Sequence, residues 1–211
     1  MSERPLNAEA VAERLRVSRE TLSRLAAYVD LLGQWNPRIN LVSAASLADV
    51  WRRHILDSGQ LMAHLPVSAR VLVDLGSGAG LPGLVLAIMG IPEVHLIESD
   101  QRKAAFLREA ARVSAVKATV HAARIETVAP FPADVVTSRA LAPLGKLLGW
   151  AAPFLAPEGI CLFLKGADWQ DELTAAKQKW IMQTQDIASE SDPTGRILRV
   201  EAVHRAPGRG A

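Results

Sequence analysis

Apolar positions recur along the chain with two periods. Near the N-terminus the spacing is helical: Leu22, Leu25, Ala26, Val29 and Leu32 fall on one face. It predicts helices over 8–17 and 19–34, with Ser18 capping the second. Asn36-Pro37 then predicts a break and a loop. Ser46, with Asp49 three residues on, predicts the start of a further helical stretch over 47–65. There Arg52, Arg53, His54 and Asp57 are interleaved with Trp51, Ile55 and Leu56. From Arg70 onward short apolar runs alternate with helical ones. They predict strands over 70–75, 94–98, 117–121, 133–138 and 159–165, and helices over 82–90, 100–113, 143–154 and 168–182. Two extended runs, 184–189 and 196–204, flank Ser191-Asp192-Pro193-Thr194-Gly195 and predict an antiparallel hairpin. The expected fold class is α/β: a doubly wound, Rossmann-like sheet with helices on both faces, an N-terminal helical extension and a C-terminal β-hairpin. Residues 1–66 are expected as a helical cap on the core, 67–205 as the ligand-binding core and 206–211 as a flexible tail.

The strongest local signal is the run from Val71 to Gly83. An apolar strand ends in Asp74-x-Gly76-x-Gly78-x-Gly80 and passes through Leu81 and Pro82 into a helix. Such a loop brings backbone N–H groups close to a nucleotide-like ligand. Leu81 stands where the dinucleotide fingerprint needs its third glycine. Asp74, two residues before the first glycine, suits a sulfonium and would repel a pyrophosphate. Both points favour S-adenosylmethionine over NAD, and a parallel sheet ending in a hairpin fits a class I methyltransferase.

Ligands of such sheets sit at the carboxyl ends of the strands. Glu98-Ser99 follow the second strand, twenty-two residues beyond Gly76, and are placed to hold ribose hydroxyls; the alternative is a cap for the helix from Asp100. Ile125-Glu126 follow the third and are candidates for reading adenine, or form a plain helical turn. Ser138-Arg139 follow the fourth, where substrate meets the methyl group. Arg139 needs an acid or phosphate partner to offset desolvation, so it is read as a contact to the methionine carboxylate or a substrate phosphate, or as a structural ion pair. Lys165-Gly166 follow the fifth, and Lys165 is either a phosphate contact or a solvated lysine.

Composition narrows the field. With 49% apolar and 22% charged residues among 211, the chain is an ordinary soluble globular protein. No apolar run approaches membrane-span length, and the charged start lacks a signal core. The one cysteine, Cys161, excludes a disulfide framework. A cytoplasmic location without membrane association is expected. A net charge of +2 permits a nucleic-acid partner without arguing for one. Cys161 falls inside a strand, which disfavours a covalent cysteine mechanism. The fourth strand lacks the Asn-Pro-Pro-Tyr clamp expected for methylating an exocyclic amine. His54 and Asp57, lacking a third ligand, are read as a hydrogen-bonded structural pair, and no metal site is expected.

Four stretches occur in the order and spacing of one family: Trp35-Asn36-x-x-x-Asn40-Leu41, Arg53-His54-Ile55-Leu56-Asp57-Ser58, Gly76-Ser77-Gly78-Ala79-Gly80-Leu81-Pro82-Gly83, and Ser138-Arg139-Ala140. Together with Lys165-Gly166 they resemble the RsmG family, also called GidB, over about residues 20 to 170. Val42 and Leu141 depart from it, and the segment after Trp169 matches weakly. The resemblance implies methylation of guanine N7 in bacterial 16S ribosomal RNA, in that family at guanine 527, with S-adenosylmethionine as cofactor. It implies cofactor contacts at Gly76, Leu81, Ile125, Glu126 and Arg139, beside the Asp74, Gly78, Gly80, Glu98 and Ser99 chosen above. Candidates for touching RNA are Arg38, Arg53, His54, Arg139 and Lys165, whereas Arg52 is read as surface. The partner would be 16S RNA, the small subunit or its assembly intermediate, met by a monomer. No catalytic acid or base is expected, because guanine N7 carries a lone pair and no proton. Competing readings are a small-molecule or protein methyltransferase, and a non-catalytic RNA-binding assembly factor that keeps S-adenosylmethionine as a structural ligand.

Overall fold

The computed structural model describes residues 5–207; the expected tail lies outside them from position 208. Seven strands form one sheet in the order β3-β2-β1-β4-β5-β7-β6. They are β1 (Val71–Leu75), β2 (Glu93–Ile97), β3 (Ala118–His121), β4 (Ala133–Arg139), β5 (Leu155–Lys165), β6 (Trp180–Ala188) and β7 (Arg196–Arg205). The first five are parallel, and β7 runs antiparallel to both β5 and β6. The order reverses between β1 and β4, which opens a crevice at the carboxyl ends of those strands. The doubly wound sheet with its C-terminal hairpin is as expected.

The helices are α1 (Ala8–Leu15), α2 (Arg19–Ile39), α3 (Ala44–Leu47), α4 (Asp57–Gly59), α5 (Gly83–Ile88), α6 (Gln101–Val113), α7 (Leu144–Ala151) and α8 (Trp169–Lys177). One sheet face packs on α2, α5 and α6 through Leu25, Tyr28, Leu84, Leu96 and Phe106, and the N-terminal helices share this core. The other face packs on α7 through Val73, Ile97, Leu147, Phe154 and Phe163. Ser18 caps α2 as expected, accepting from the Thr21 N–H at 3.1 Å.

Four local expectations are corrected. Asn36-Pro37 does not break α2, which runs on to Ile39. Pro37 sits in the last turn, where its missing N–H removes only one bond. The chain turns instead at Asn40, which adopts a left-handed conformation (φ 48°). The Asn36 amide clamps that turn, donating to Val42 O at 3.0 Å and accepting from Val42 N at 2.9 Å. Ser46 is not a cap; Ser43 caps α3 by accepting from Ser46 N at 3.1 Å. The stretch 47–65 is not one regular helix. It is a π-helical coil over Trp51–Leu56, the short α4, then a 3-10 coil over Gln60–His64. Finally, the helix expected over 168–182 ends at Lys177, and Trp180 opens β6. Trp180 is buried, donates its indole N–H to Gly145 O at 3.1 Å and lies under the Arg205 guanidinium. Those tertiary contacts outweigh the local helical pattern.

Candidate active site

The loop after β1 is shaped by what its glycines leave out. Gly78 has φ +55°, and a Cβ built there would meet nothing nearer than Gly76 O at 3.8 Å. Open space lies on that side. At Gly83 a Cβ would come within 2.6 Å of Asp74 Cβ and Leu96 Cδ2, so this glycine serves helix-to-strand packing. Behind the loop, the Tyr28 hydroxyl donates to Ala79 O at 2.7 Å and ties α2 to it.

Two acids brace the loop. Glu98 is 8% exposed; its Oε2 accepts from Gly78 N at 2.9 Å and its Oε1 from Asp100 N at 2.8 Å. Asp100, not Glu98, caps α6 through Arg102 N and Lys103 N. Asp74 lies beneath the loop, fully buried, accepting from Thr137 Oγ1 at 2.9 Å and Gly83 N at 3.3 Å. Burial pushes its pKa up to about 6. Ser99 is exposed just past β2. Ile125 and Glu126 form a single 3-10 turn past β3, and the Glu126 carboxylate accepts the Trp150 indole N–H at 2.9 Å.

Beside the loop opens a cleft of about 770 Å³. It brings together Gly76, Gly78, Leu81, Arg53, His54, Arg139 and Lys165. Asp74, Gly80, Glu98, Ser99, Ile125, Glu126 and Arg38 are not in its wall. Arg38 is exposed in the last turn of α2.

Arg139 organises the cleft floor. Its Nη1 donates to Arg53 O at 3.1 Å, His54 Nδ1 at 3.0 Å and Asp57 Oδ2 at 3.3 Å. Asp57 is thus the acid that offsets its desolvation. Nε and Nη2 have no partner among the described residues. The His54 and Asp57 side chains, expected as a hydrogen-bonded pair, do not bond each other; Arg139 bridges them instead. An arginine cannot accept, so His54 Nδ1 is the acceptor and its Nε2–H donates to Ser46 Oγ at 3.0 Å. Burial first, then the Arg139 and Arg53 charges, lower the His54 pKa from 6.5 to about 3.

Lys165 is not a solvated lysine. Its side chain is 6% exposed, ion-paired to Glu172 and donating to Ala142 O at 3.0 Å. Glu172 also accepts from Leu144 N at 2.7 Å, which fixes the start of α7. Arg53 is held by Asp192 at 2.9 Å. The turn between β6 and β7 closes this side: Ser191 Oγ donates to Asp57 Oδ1, and Glu190 N donates to Gln60 Oε1 at 2.7 Å. Tyr28, Gln60, Ser191 and Asp192 were not legible as site residues, since each acts through a partner far along the chain. Cys161 is buried, and burial pushes its thiol pKa up, which agrees with an inert role.

A pH dependence follows from His54. Below pH 6.5 the unfolded chain takes up a proton that folded His54 refuses, so stability falls as pH drops from 6.5 toward 3. Asp74 acts oppositely: with its pKa raised from 3.8 to about 6, it stabilises the fold on acidification across that window. His54→Gln should remove only the first effect. Its stability relative to the parent protein should therefore rise by about 1 kcal/mol per pH unit between pH 6 and 4, read from denaturant melts. A difference that stays constant with pH would show that His54 titrates normally.

A strand-order reversal, a glycine loop after β1 and an antiparallel β7 define the class I methyltransferase fold. Solved structures of that fold superpose on the chain. A ribosomal protein L11 methylase from Lactobacillus delbrueckii subsp. bulgaricus does so with TM-score 0.58 at 13% identity, over 69% of this chain and 77% of that one. M. jannaschii TYW2, solved with AdoMet, gives TM-score 0.54 at 18% identity, over 81% and 80%. The chain belongs to the GidB family, rRNA small subunit methyltransferase G, whose profile matches residues 21–193. It is 62% identical to ribosomal RNA small subunit methyltransferase G of Rhodospirillum centenum, over 89% of this chain and 87% of that protein. It is 56% identical to the protein of the same name from Rhodospirillum rubrum, over 94% and 98%. As a family member it is an S-adenosylmethionine-dependent methyltransferase. Among the described residues, no helix is long and apolar enough to cross a membrane.

Proposed function

We propose that this enzyme methylates N7 of a guanine in 16S ribosomal RNA, at the position equivalent to guanine 527, on the small subunit or its assembly intermediate. Family membership supports ribosomal RNA as the substrate. The observation that carries the reading is the meeting, in one cleft, of Gly78, with open space on its Cβ side, and Arg139, whose Nε and Nη2 have no partner among the described residues.

That pairing fits S-adenosylmethionine. The space a Cβ at Gly78 would fill suits a ligand in close backbone contact. The Nε and Nη2 edge of Arg139 matches a carboxylate, such as that of the methionine moiety, in bidentate fashion. Glu98 keeps further lone pairs for ribose hydroxyls beyond its two backbone bonds, with Ser99 beside it, and Ile125 and Glu126 are the candidates for adenine. Asp74, beneath the loop, and Gly80 act by shaping it; Gly76 and Leu81 face the cleft. When bound, the cofactor supplies an activated methyl group on a sulfonium.

Guanine N7 needs no deprotonation, and the chain's residues fit a base-free reaction. Both His54 ring nitrogens are committed, Asp57 is held by Arg139 and Ser191, and Glu172 by Lys165. His54 and Asp57 hold Arg139, and Glu172 holds Lys165 and the start of α7. Among the RNA candidates, Arg53 at the mouth is the phosphate contact of choice. Lys165 would have to leave Glu172, and Arg38 lies outside the cleft wall.

Incubating the purified protein with methyl-tritiated cofactor and either 16S transcript or small subunits, followed by mass mapping of nuclease fragments, tests this. We expect label on one guanosine, at N7. Label on another atom would replace the N7 assignment; RNA binding without label would favour the assembly-factor reading.

A further inference from the structure

The turn between β6 and β7 places an acid where the proposed substrate would place a phosphate. The Arg53 side chain is 49% exposed and stands in the cleft wall, yet its Nη1 is ion-paired to Asp192 Oδ2 at 2.9 Å, across 139 residues of sequence. The Asp192 side chain is itself 31% exposed and lines the same cleft. Its other oxygen is committed to the turn, accepting from Thr194 N at 2.9 Å and Thr194 Oγ1 at 2.8 Å. Asp192 is therefore held rigidly, with one oxygen turned to Arg53. A carboxylate and a phosphodiester offer a guanidinium the same anionic oxygens, so the two compete for one cation.

The turn is anchored independently of this ion pair. Ser191 bonds Asp57, and Glu190 N bonds Gln60. Losing the Arg53 contact need not release the turn. An exposed pair of this kind contributes little to stability, which suits an interaction that must exchange.

We propose that Asp192 is an intramolecular stand-in for a substrate phosphate: it holds Arg53 at the cleft mouth until a phosphodiester of the RNA displaces it. This rests on the reading of the protein as an RNA methyltransferase with Arg53 at a phosphate. Asp192 then sets how strongly RNA must bind before the mouth opens, and disfavours ligands that bring no phosphate to the rim.

Asp192→Asn is the informative change. Asparagine keeps the oxygen that accepts from Thr194 and replaces the one that faces Arg53 with an NH₂ group, which cannot accept. Affinity for a 16S rRNA transcript would be measured across a salt series for the parent, Asp192→Asn, Arg53→Gln and the double variant. Glu190→Gln serves as a same-turn charge control, with melts and cofactor titrations alongside. We expect Asp192→Asn to bind RNA roughly threefold more tightly, within the range an exposed ion pair supports. Its salt slope, melting temperature and cofactor affinity should be unchanged. Arg53→Gln should bind more weakly with a salt slope smaller by about one unit, and adding Asp192→Asn to it should bring no gain. Weaker binding by Asp192→Asn, or an equal gain in the Arg53→Gln background or from Glu190→Gln, would overturn the proposal. If the parent protein methylates the transcript and only the gain is missing, the stand-in role alone falls. If the parent neither binds nor methylates RNA, both readings fall.

Discussion

Replacing Gly78 with valine should lower S-adenosylmethionine affinity by at least roughly 100-fold, about 3 kcal/mol, while the protein remains folded. The two costs separate because of where the new side chain goes. Beyond its chain neighbours, its Cβ meets no protein atom closer than 3.8 Å, so the side chain starts out into open space. The isopropyl group would fill the space assigned to the ligand. The remaining cost is backbone strain: φ is +55°, which costs a side chain at least about 1–2 kcal/mol and a β-branched one more. Gly83→Ala supplies the contrast. Its Cβ would collide with Asp74 and Leu96 at 2.6 Å, so that variant should lose the fold along with the ligand. Calorimetric titration with the cofactor and a thermal melt distinguish them. Parental affinity in Gly78→Val would take the ligand away from this loop.

Arg139→Ala should slow methyl transfer at saturating RNA by roughly 10- to 100-fold, the range for losing a charged hydrogen-bond partner. Arg139→Lys should recover little. One ammonium cannot serve Arg53 O, His54 and Asp57 and still present a second donor edge to a ligand. Asp57→Asn should fall between the parent protein and Arg139→Ala, because it keeps the shape around Arg139 but removes the charge that fixes it. Single-turnover rates at saturating RNA decide the matter, with circular dichroism to verify folding. If Arg139→Ala turns over at the parental rate, the arginine is a strut between β4 and the helical segment and takes no part in transfer.

The parallel strands and the glycine loop were legible because each is written in consecutive residues. An apolar run, an acid and spaced glycines need no distant information. Glu98 and Arg139 were legible for a related reason: the fold class fixes which end of each strand faces a ligand. Other features depend on contacts between segments. The strand beginning at Trp180 reads as the end of a helix until Gly145 and Arg205 are beside it. The π-helical coil over Trp51–Leu56 has no signature in side-chain periodicity. Lys165 reads as a surface cation until Glu172 is seen to cover it. Asp192 looks like an ordinary turn residue, because its partner was made 139 positions earlier.

The contacts of the β6–β7 turn also bear on the order in which the site is made. Arg53, Asp57 and Gln60 meet Asp192, Ser191 and Glu190 across 139, 134 and 130 residues. A nascent chain leaving the ribosome therefore has its glycine loop long before it has a cleft mouth. Until β6 and β7 emerge, Asp57 lacks Ser191 and Gln60 lacks Glu190 N. The enclosure is completed only by a segment synthesised more than a hundred residues after the loop. A chain interrupted before position 189 carries the glycine loop without the wall that closes the cleft beside it.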